Sequence, residues 1–138
     1  MVWVDDAGRI ISPLLAEGQL VGGMAQGIGQ ALLERIVYDA DGQLLTGSLM
    51  DYAVPRAGDM PAVDIDNLCA AAPANGAPTN VLGAKGVGEA GCIGVPAALY
   101  NAAADAFAPL HLPEQALNAA LEFPLTAARL WMALRSAK

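Results

Sequence analysis

Residues 82 to 91 read Leu82-Gly83-Ala84-Lys85-Gly86-Val87-Gly88-Glu89-Ala90-Gly91, so that one carboxylate stands among glycines. Because glycine has no side chain, the backbone around Glu89 can come close to a bulky group without obstruction. This setting suits a general base, which must reach the proton that it removes. The alternative is an ordinary loop glutamate that water solvates. Lys85 and the glycines offer few neighbours to solvate the acid, and this favours the general base.

A second group of glycines falls inside a predicted helix that runs from Gly18 to about Arg35. Its apolar residues recur at every fourth position, which is the spacing of one helical face: Leu20, Met24, Ile28, Leu32 and Ile36. The helix contains Gly22, Gly23, Gly27 and Gly29. Each glycine costs about 1 kcal/mol relative to alanine in a helix interior, so something must approach this helix closely.

The approaching group is either a neighbouring helix or a cofactor, and Gln26 among the glycines favours the cofactor. Ten of the fifteen glycines lie in Gly18–Gly29 and Gly83–Gly94. We therefore predict that these two segments form two walls of one site.

The remaining elements are short. Short strands are predicted at Val2–Val4, at Ile10-Ile11, which Pro13 ends, and at Val63–Ile65. A hairpin with its turn at Asp41-Gly42 is predicted to have the strands Arg35–Asp39 and Gln43–Thr46 as its arms. Predicted helices are Ala97–Phe107, Pro113–Leu121 and a last one from Thr126 to about Leu134. Thr126 is the expected N-cap of the last helix, with Leu130, Trp131 and Leu134 on one face. Residues 51–61 are expected to be irregular, and residues 72–80 a loop.

The composition limits the possible partners. The chain has 138 residues, 55% of them hydrophobic and 15% charged, and its mean hydropathy is +0.42. A lone 14.1 kDa globule of this composition would expose an unusually apolar surface, so we expect a partner to cover part of that surface. The net charge of −7 and the seven scattered basic residues argue against nucleic acid.

The cysteines and the chain start narrow the choice of compartment. Cys69 and Cys92 form no C-x-x-C pair, and with His111 as the single histidine no zinc or iron–sulfur site can be assembled. Free thiols buried as small apolar side chains suit a reducing compartment, which places the protein in the cytoplasm. No signal peptide is recognisable at Met1–Asp6, and no apolar run is long enough for a membrane span.

Other catalytic patterns fit poorly. The segment Gly86–Gly91 matches G-x-G-x-x-G with Asp105 downstream, as in a nicotinamide dinucleotide site. That motif must follow a buried strand, whereas Pro78-Thr79-Asn80 precedes it here, and Glu89 would repel a pyrophosphate. No serine lies in a nucleophile motif, His111 between two leucines is expected to be structural, and no second acid lies near Glu89 in sequence.

Five motifs occur in a fixed order along the chain. They read Val4-Asp5-Asp6 with Gly8-Arg9, Glu17-Gly18-Gln19 with Gly22-Gly23, Gln26-Gly27-Ile28-Gly29-Gln30-Ala31-Leu32, Leu45-Thr46-Gly47-Ser48-Leu49-Met50-Asp51-Tyr52, and Gly86-Val87-Gly88-Glu89-Ala90-Gly91. In these motifs the chain resembles the molybdenum-binding large subunit of the xanthine dehydrogenase and aldehyde oxidase family, particularly its branch of aerobic carbon monoxide dehydrogenases.

The resemblance implies roles for six residues. Glu89 would stand beside the molybdenum as the general base, and Gln26 would hydrogen-bond the pterin of the cofactor. The backbone of Lys85, Gly86, Val87 and Gly88 would line the cofactor. No residue of this chain would ligate the metal.

The resemblance also implies the setting of the reaction. The cofactor would be molybdenum-molybdopterin, in bacteria typically the cytosine dinucleotide form, with FAD and iron–sulfur clusters on partner subunits. A small substrate (an aldehyde, an N-heterocycle or carbon monoxide) would be oxidised with water as the oxygen source. The family's large subunit is several times longer, so its missing N-terminal portion is an expected partner.

Residues 1–138 are thus interpreted as a single C-terminal part of a molybdopterin-binding domain. We expect an α+β fold with helices packed on a small mixed sheet, and no activity from the chain alone. The alternative is a non-catalytic binding module that keeps the fold and lacks the chemistry.

Overall fold

A computed structural model of the chain describes residues 1–67 and 81–136. The predicted loop at 72–80, and Cys69, lie outside these residues. The described elements are β1 Val2–Asp5, α1 Pro13–Ile28, β2 Asp64–Asn67, α2 Ala90–Ile93, α3 Val95–Phe107, α4 Glu114–Ala120 and α5 Ala127–Ser136. A π-helical turn, Gly29–Leu33, extends α1, and short 3-10 turns occur at Ala57–Asp59 and Ala108–Leu110. None of the described helices is both long and apolar enough to cross a membrane.

The sheet consists of β1 and β2, which pair in parallel with Trp3 opposite Ile65. Of the predicted strands, Val2–Val4 and Val63–Ile65 are confirmed, the second starting at Asp64, whereas Ile10-Ile11 forms no strand. The described residues show no mixed sheet, because the antiparallel contact with the glycine-rich segment is only an isolated bridge between Gly8 and Ala84. Trp3 packs against the helices, whereas Val2 and Val4 are exposed.

The first helix begins at Pro13, five residues earlier than predicted. Sequence analysis took Pro13 as the end of a preceding strand. Proline is equally suited to the first turn of a helix, where its missing N–H needs no partner. Ser12 is the N-cap. Its backbone is extended, and its side chain makes no capping hydrogen bond.

Three of the five glycines in α1 and the π-helical turn serve packing inside the chain. A Cβ at Gly23 would lie 3.0 Å from Gly91 Cα, and one at Gly27 would lie 2.7 Å from Val95 Cβ. A Cβ at Gly29 would overlap Glu34 Oε1 and crowd the ring of Pro55. The interpretation that these glycines admit a cofactor is therefore wrong for Gly23, Gly27 and Gly29, which let chain segments pack closely.

Two apolar clusters hold the helices together. Met24, Ile28 and Val95 form one where α1 meets α3, with Trp3 at its margin. The other joins α3, α4 and α5: Phe107, Ala120, Leu121, Leu125 and Ala133. The predicted helices over 97–107, 113–121 and 126–134 are confirmed within one or two residues.

The last helix presents a different face to the core from the one predicted. Thr126 caps it as expected, since its Oγ1 accepts the Arg129 N–H at 3.4 Å. Ala133 is buried and Leu130 packs against the core, but Trp131 and Leu134 are 54% and 46% exposed. Trp131 instead lies under the guanidinium of Arg135, 4.9 Å from the ring centroid.

The predicted hairpin is a turn without strands. Gly42 has the expected positive φ of 80°, but a single bridge joins Tyr38 to Leu44. Side chains take the amide protons that longer arms would share: Asp39 Oδ1 accepts the Gln43 N–H at 2.8 Å, and Thr46 Oγ1 accepts the Val37 N–H at 3.0 Å.

A neighbouring turn is tied to the end of the π-helical segment. Tyr52 donates to Glu34 Oε2 at 2.7 Å. This hydrogen bond raises the pKa of the Tyr52 hydroxyl, and desolvation adds to the rise.

Candidate functional site

The start of the glycine-rich segment, residues 82 to 91, is hydrogen-bonded to the loop that follows β1. The Lys85 N–H donates to Ala7 O and the Arg9 N–H to Gly83 O, both at 2.9 Å. Gly8 and Gly83 adopt positive φ values of 62° and 69° at this crossing, a conformation that favours glycine. A Cβ on Gly8 would also overlap Gly83 O, so the two segments cross with no room for a side chain.

An ion pair reinforces the crossing. Lys85 Nζ donates to Asp6 Oδ2 at 2.5 Å, and the Gly8 N–H donates to Asp6 Oδ1 at 3.0 Å. The hydrogen bond from Lys85, and after it that from Gly8, hold the pKa of the Asp6 carboxyl below its usual range. Sequence analysis gave Asp6 no role beyond its place in a motif, because its partner is 79 residues away.

Beyond the crossing the segment runs over the surface to Glu89. Apart from the adjoining residues, no heavy atom of residues 1–67 or 81–136 lies within 4 Å of where a Cβ of Gly86 or Gly88 would be. Glu89 stands at the N-cap of α2, and its backbone carbonyl accepts the Cys92 N–H and the Cys92 thiol, both at 3.1 Å. The Glu89 carboxylate is exposed, and within residues 1–67 and 81–136 we find no partner for it.

The first turn of α2 rests directly on α1. A Cβ on Gly91 would overlap Leu20 O and lie 2.9 Å from Met24 N, so two backbones touch here. Gln26 lies one turn beyond Gly23 and is exposed. Gln26 on α1 and Glu89 at the start of α2 therefore belong to two elements that pack against each other.

The same side of α1 carries a polar strip that sequence analysis missed in part. Gln19, Gly22 and Gln26 are three and four residues apart, so they share one face, and all three are exposed. Gly22 has no heavy atom within 4 Å of a would-be Cβ. The signal for Gln19 was its spacing of two turns from Gln26.

One end of this strip opens into a cleft of about 210 Å³ between α1 and the glycine-rich segment. Its lining consists of Ala7, Arg9, Ile10, Ile11, Ser12, Leu15, Ala16, Gln19, Ala84, Lys85 and Val87. Of the predicted site residues, Lys85 and Val87 line this cleft, whereas Glu89 and Gln26 do not. The site is an open wall rather than an enclosed pocket as far as the described residues go.

The described residues contain no group of three His, Cys, Asp or Glu side chains that could hold a metal ion. Cys92 is a free, half-buried thiol. His111 is exposed and holds a left-handed conformation with φ 47° after a 3-10 turn.

Comparison with known proteins identifies the family. A family model described as "Molybdopterin cofactor-binding domain" matches residues 1–61. The gamma subunit of the 6-hydroxypseudooxynicotine dehydrogenase complex of Paenarthrobacter nicotinovorans is 47% identical over 103 residues, 75% of this chain. The carbon monoxide dehydrogenase large chain of Hydrogenophaga pseudoflava is 33% identical over 132 residues, 96% of this chain. The chain belongs to the xanthine dehydrogenase and aldehyde oxidase family of molybdenum-binding large subunits.

The structural comparison agrees with this family. A structure of Cu,Mo-CO dehydrogenase in its carbon monoxide reduced state superposes with a TM-score of 0.80 at 32% identity. The match covers 99% of this chain and 16% of that one. The α+β fold predicted for this family member is confirmed. The chain spans only 12% and 15% of the length of the two relatives above.

Proposed function

We propose that this chain forms one wall of the cofactor site of a molybdenum hydroxylase and supplies its general base, Glu89. The observation that carries the proposal is the position of Glu89. It lies at the end of a loop that carries glycine at positions 86 and 88 and whose start is held by the Asp6–Lys85 ion pair, and it precedes the helix α2, which packs on α1. The relatives are named as dehydrogenases, which supports an oxidation as the reaction.

The residues of this wall fit an organic cofactor. Gly22, Gly86 and Gly88 leave the surface open, because no atom from elsewhere in the described part of the chain occupies the space where their side chains would be. The amides of Gln19 and Gln26 can both donate and accept hydrogen bonds, as a pterin ring requires. Gln26 would bond the pterin and the backbone of Lys85 to Gly88 would line it. When bound, the molybdenum cofactor, in the cytosine dinucleotide form, supplies the Lewis acid and the electron acceptor.

Glu89 would take up a proton on one of its carboxylate oxygens while the substrate is oxidised with water as the oxygen source. Its exposure means that the walls that exclude water come from outside the described residues. We assign them to the remaining portion of the large subunit, with iron–sulfur and flavin subunits carrying the electrons onward. The substrate would be small: an aldehyde, an N-heterocycle or carbon monoxide.

The free Cys92 thiol is consistent with a reducing compartment, and we propose the cytoplasm. The isolated chain is expected to be inactive, because it holds only one wall of the site.

Replacement of Glu89 tests the proposal. We expect Glu89→Gln in the assembled enzyme to lower turnover by about 10²-fold or more, which is the scale of general-base loss. The molybdenum content should stay unchanged, because the amide keeps the size of the carboxylate. Glu114→Gln, an exposed glutamate in the first turn of α4, is the matched control and should leave turnover unchanged. Near-normal turnover of Glu89→Gln would refute the assignment.

A non-catalytic binding module is the second candidate, and the open position of Glu89 favours it. Metal and pterin analysis of the protein purified with its neighbouring gene products separates the two. Molybdenum and pterin in stoichiometric amounts support the enzyme, and their absence from a stable complex supports the binding module.

A further inference from the structure

We propose that Asp6 is a positioning residue, which holds the glycine-rich loop through Lys85 and thereby sets the place of Glu89. The inference rests on the proposed function, because it concerns the delivery of the same base. Lys85 would then contribute to the cofactor wall through its backbone, since its ammonium is engaged with Asp6.

The loop between Lys85 and Glu89 needs such a fixed point. Its two glycines touch no other side chain or backbone within 4 Å of their would-be Cβ positions. Among the described residues, two backbone hydrogen bonds hold this loop. The Lys85 N–H donates to Ala7 O at 2.9 Å, and the Ala90 N–H donates to Val87 O at 3.3 Å. Glycine backbone has wide conformational freedom, so the anchor at Lys85 on one side and the contact of α2 with α1 on the other together determine where Glu89 lies.

Asp6 is built into the crossing by both carboxylate oxygens. One accepts from Lys85 Nζ at 2.5 Å and the other from the Gly8 N–H at 3.0 Å. Charge-assisted hydrogen bonds of this kind are shorter and stronger than neutral ones. The Asp6 carboxylate is ionised at neutral pH, as the ion pair requires, and the hydrogen bond from Lys85 lowers its pKa further.

The side chains of Lys85 and Asp6 are 49% and 34% exposed, which makes the pair partly screened by water. A pair of this kind does not carry the stability of a domain. Its effect should instead be local, on the opening of the crossing between the β1 loop and the glycine-rich segment.

Amide hydrogen exchange of the full 138-residue chain tests the inference without any cofactor. Asp6→Asn removes the charge but keeps an oxygen for the Gly8 N–H. We expect exchange of the Lys85 and Arg9 amides to quicken roughly 1.5- to 5-fold, the range that a partly exposed ion pair supports. Lys85→Gln should have the same effect, and the double variant should exchange no faster than either single one, because both remove one interaction. Asp105→Asn, an exposed aspartate on α3, is the control and should change neither amide.

Turnover of the assembled enzyme distinguishes positioning from a purely structural role. We expect Asp6→Asn to lower kcat several-fold with KM unchanged, because the base moves and the remaining walls do not. Unchanged exchange in Asp6→Asn, or additive effects in the double variant, would overturn the ion pair as the fixed point. Faster exchange with normal kcat would overturn the positioning role. Normal turnover of Glu89→Gln would instead defeat the proposed function and leave the exchange result standing.

Discussion

At the scale of single residues, two glycines on one helix have opposite surroundings. Gly27 faces Val95, with 2.7 Å between its would-be Cβ and Val95 Cβ, whereas Gly22 faces open space. The sequence alone shows both as helix-weakening glycines, because it contains no information on what lies opposite each of them.

We expect Gly27→Ala to destabilise the chain by about 1–3 kcal/mol, because the Val95 β-carbon is fixed to its backbone and cannot yield. Gly22→Ala should stabilise it by up to about 1 kcal/mol, since alanine is the better helix former. Urea denaturation of both variants measures the difference. Equal effects of the two substitutions would contradict the packing described for Gly27.

The ion pair of Asp6 predicts a definite dependence of stability on pH. The pKa of Asp6 is lower in the folded chain than in the unfolded one, so its contribution is present above the unfolded value of about 3.9 and is lost as the pH falls through the folded value. We expect the gap in Tm between the wild type and Asp6→Asn to stay constant above about pH 5 and to narrow below about pH 4. Thermal unfolding across this range measures the gap, and Asp105→Asn should show none. A gap that widens on acidification would contradict the sign.

The setting of Glu89 was predictable because glycines on both sides of a carboxylate form a local pattern. Gln26 was predicted in the same way, as an amide among glycines, and its role remains part of the proposal. The proposed role of Asp6 was not predictable locally, because its partner Lys85 is 79 positions away. Gln19 could have been found, because the predicted helix already placed it two turns from Gln26 on the same face.

At the scale of elements, local signals identified most helices but gave the wrong start for α1 and predicted hairpin strands that do not form. Helices α3, α4 and α5 follow from apolar spacing together with Pro96, Pro113 and Thr126 near their starts. Pro13 was ambiguous, because proline both ends strands and starts helices. The predicted hairpin arms do not form strands, because the side chains of Asp39 and Thr46 accept hydrogen bonds from backbone amides that a strand pair would use. β-Propensity does not include this competition.

The two N-caps of the long helices allow a matched test. We expect Thr126→Ala to cost about 0.5–1 kcal/mol, because it removes the bond from the Arg129 N–H. Ser12→Ala should cost less, because Ser12 makes no side-chain cap bond in the structure. Chemical denaturation measures both, and Thr126→Ser, which keeps the hydroxyl, is the control. A greater loss from Ser12→Ala than from Thr126→Ala would contradict the cap assignment.

At the scale of the whole molecule, a large apolar surface is left uncovered. The start of α1 presents an apolar patch of Ile11, Leu14 and Leu15, which are 67%, 80% and 69% exposed. A sheet of two strands is also rarely stable without further strands or cover. Both features agree with the apolar composition and with a chain that spans a small part of its relatives.

We expect the isolated chain to self-associate through this patch, because exposed apolar area drives association. The double variant Leu14→Gln and Leu15→Gln should shift the chain toward monomer by size-exclusion chromatography with light scattering. Met50→Gln, which replaces an exposed apolar side chain in a turn outside this patch, should have little effect. If the wild type is monomeric, or if both variants behave alike, the patch is not an association surface.

The bridge between Gly8 and Ala84, and the pairing of Val2 with Asp64, join segments that are far apart along the polypeptide. Contacts of this range close long loops, and the entropy lost in closing them slows folding. The helices, whose bonds are local, have no such delay. We therefore expect the segment that carries Glu89 to acquire its geometry late in folding, after α1 has formed.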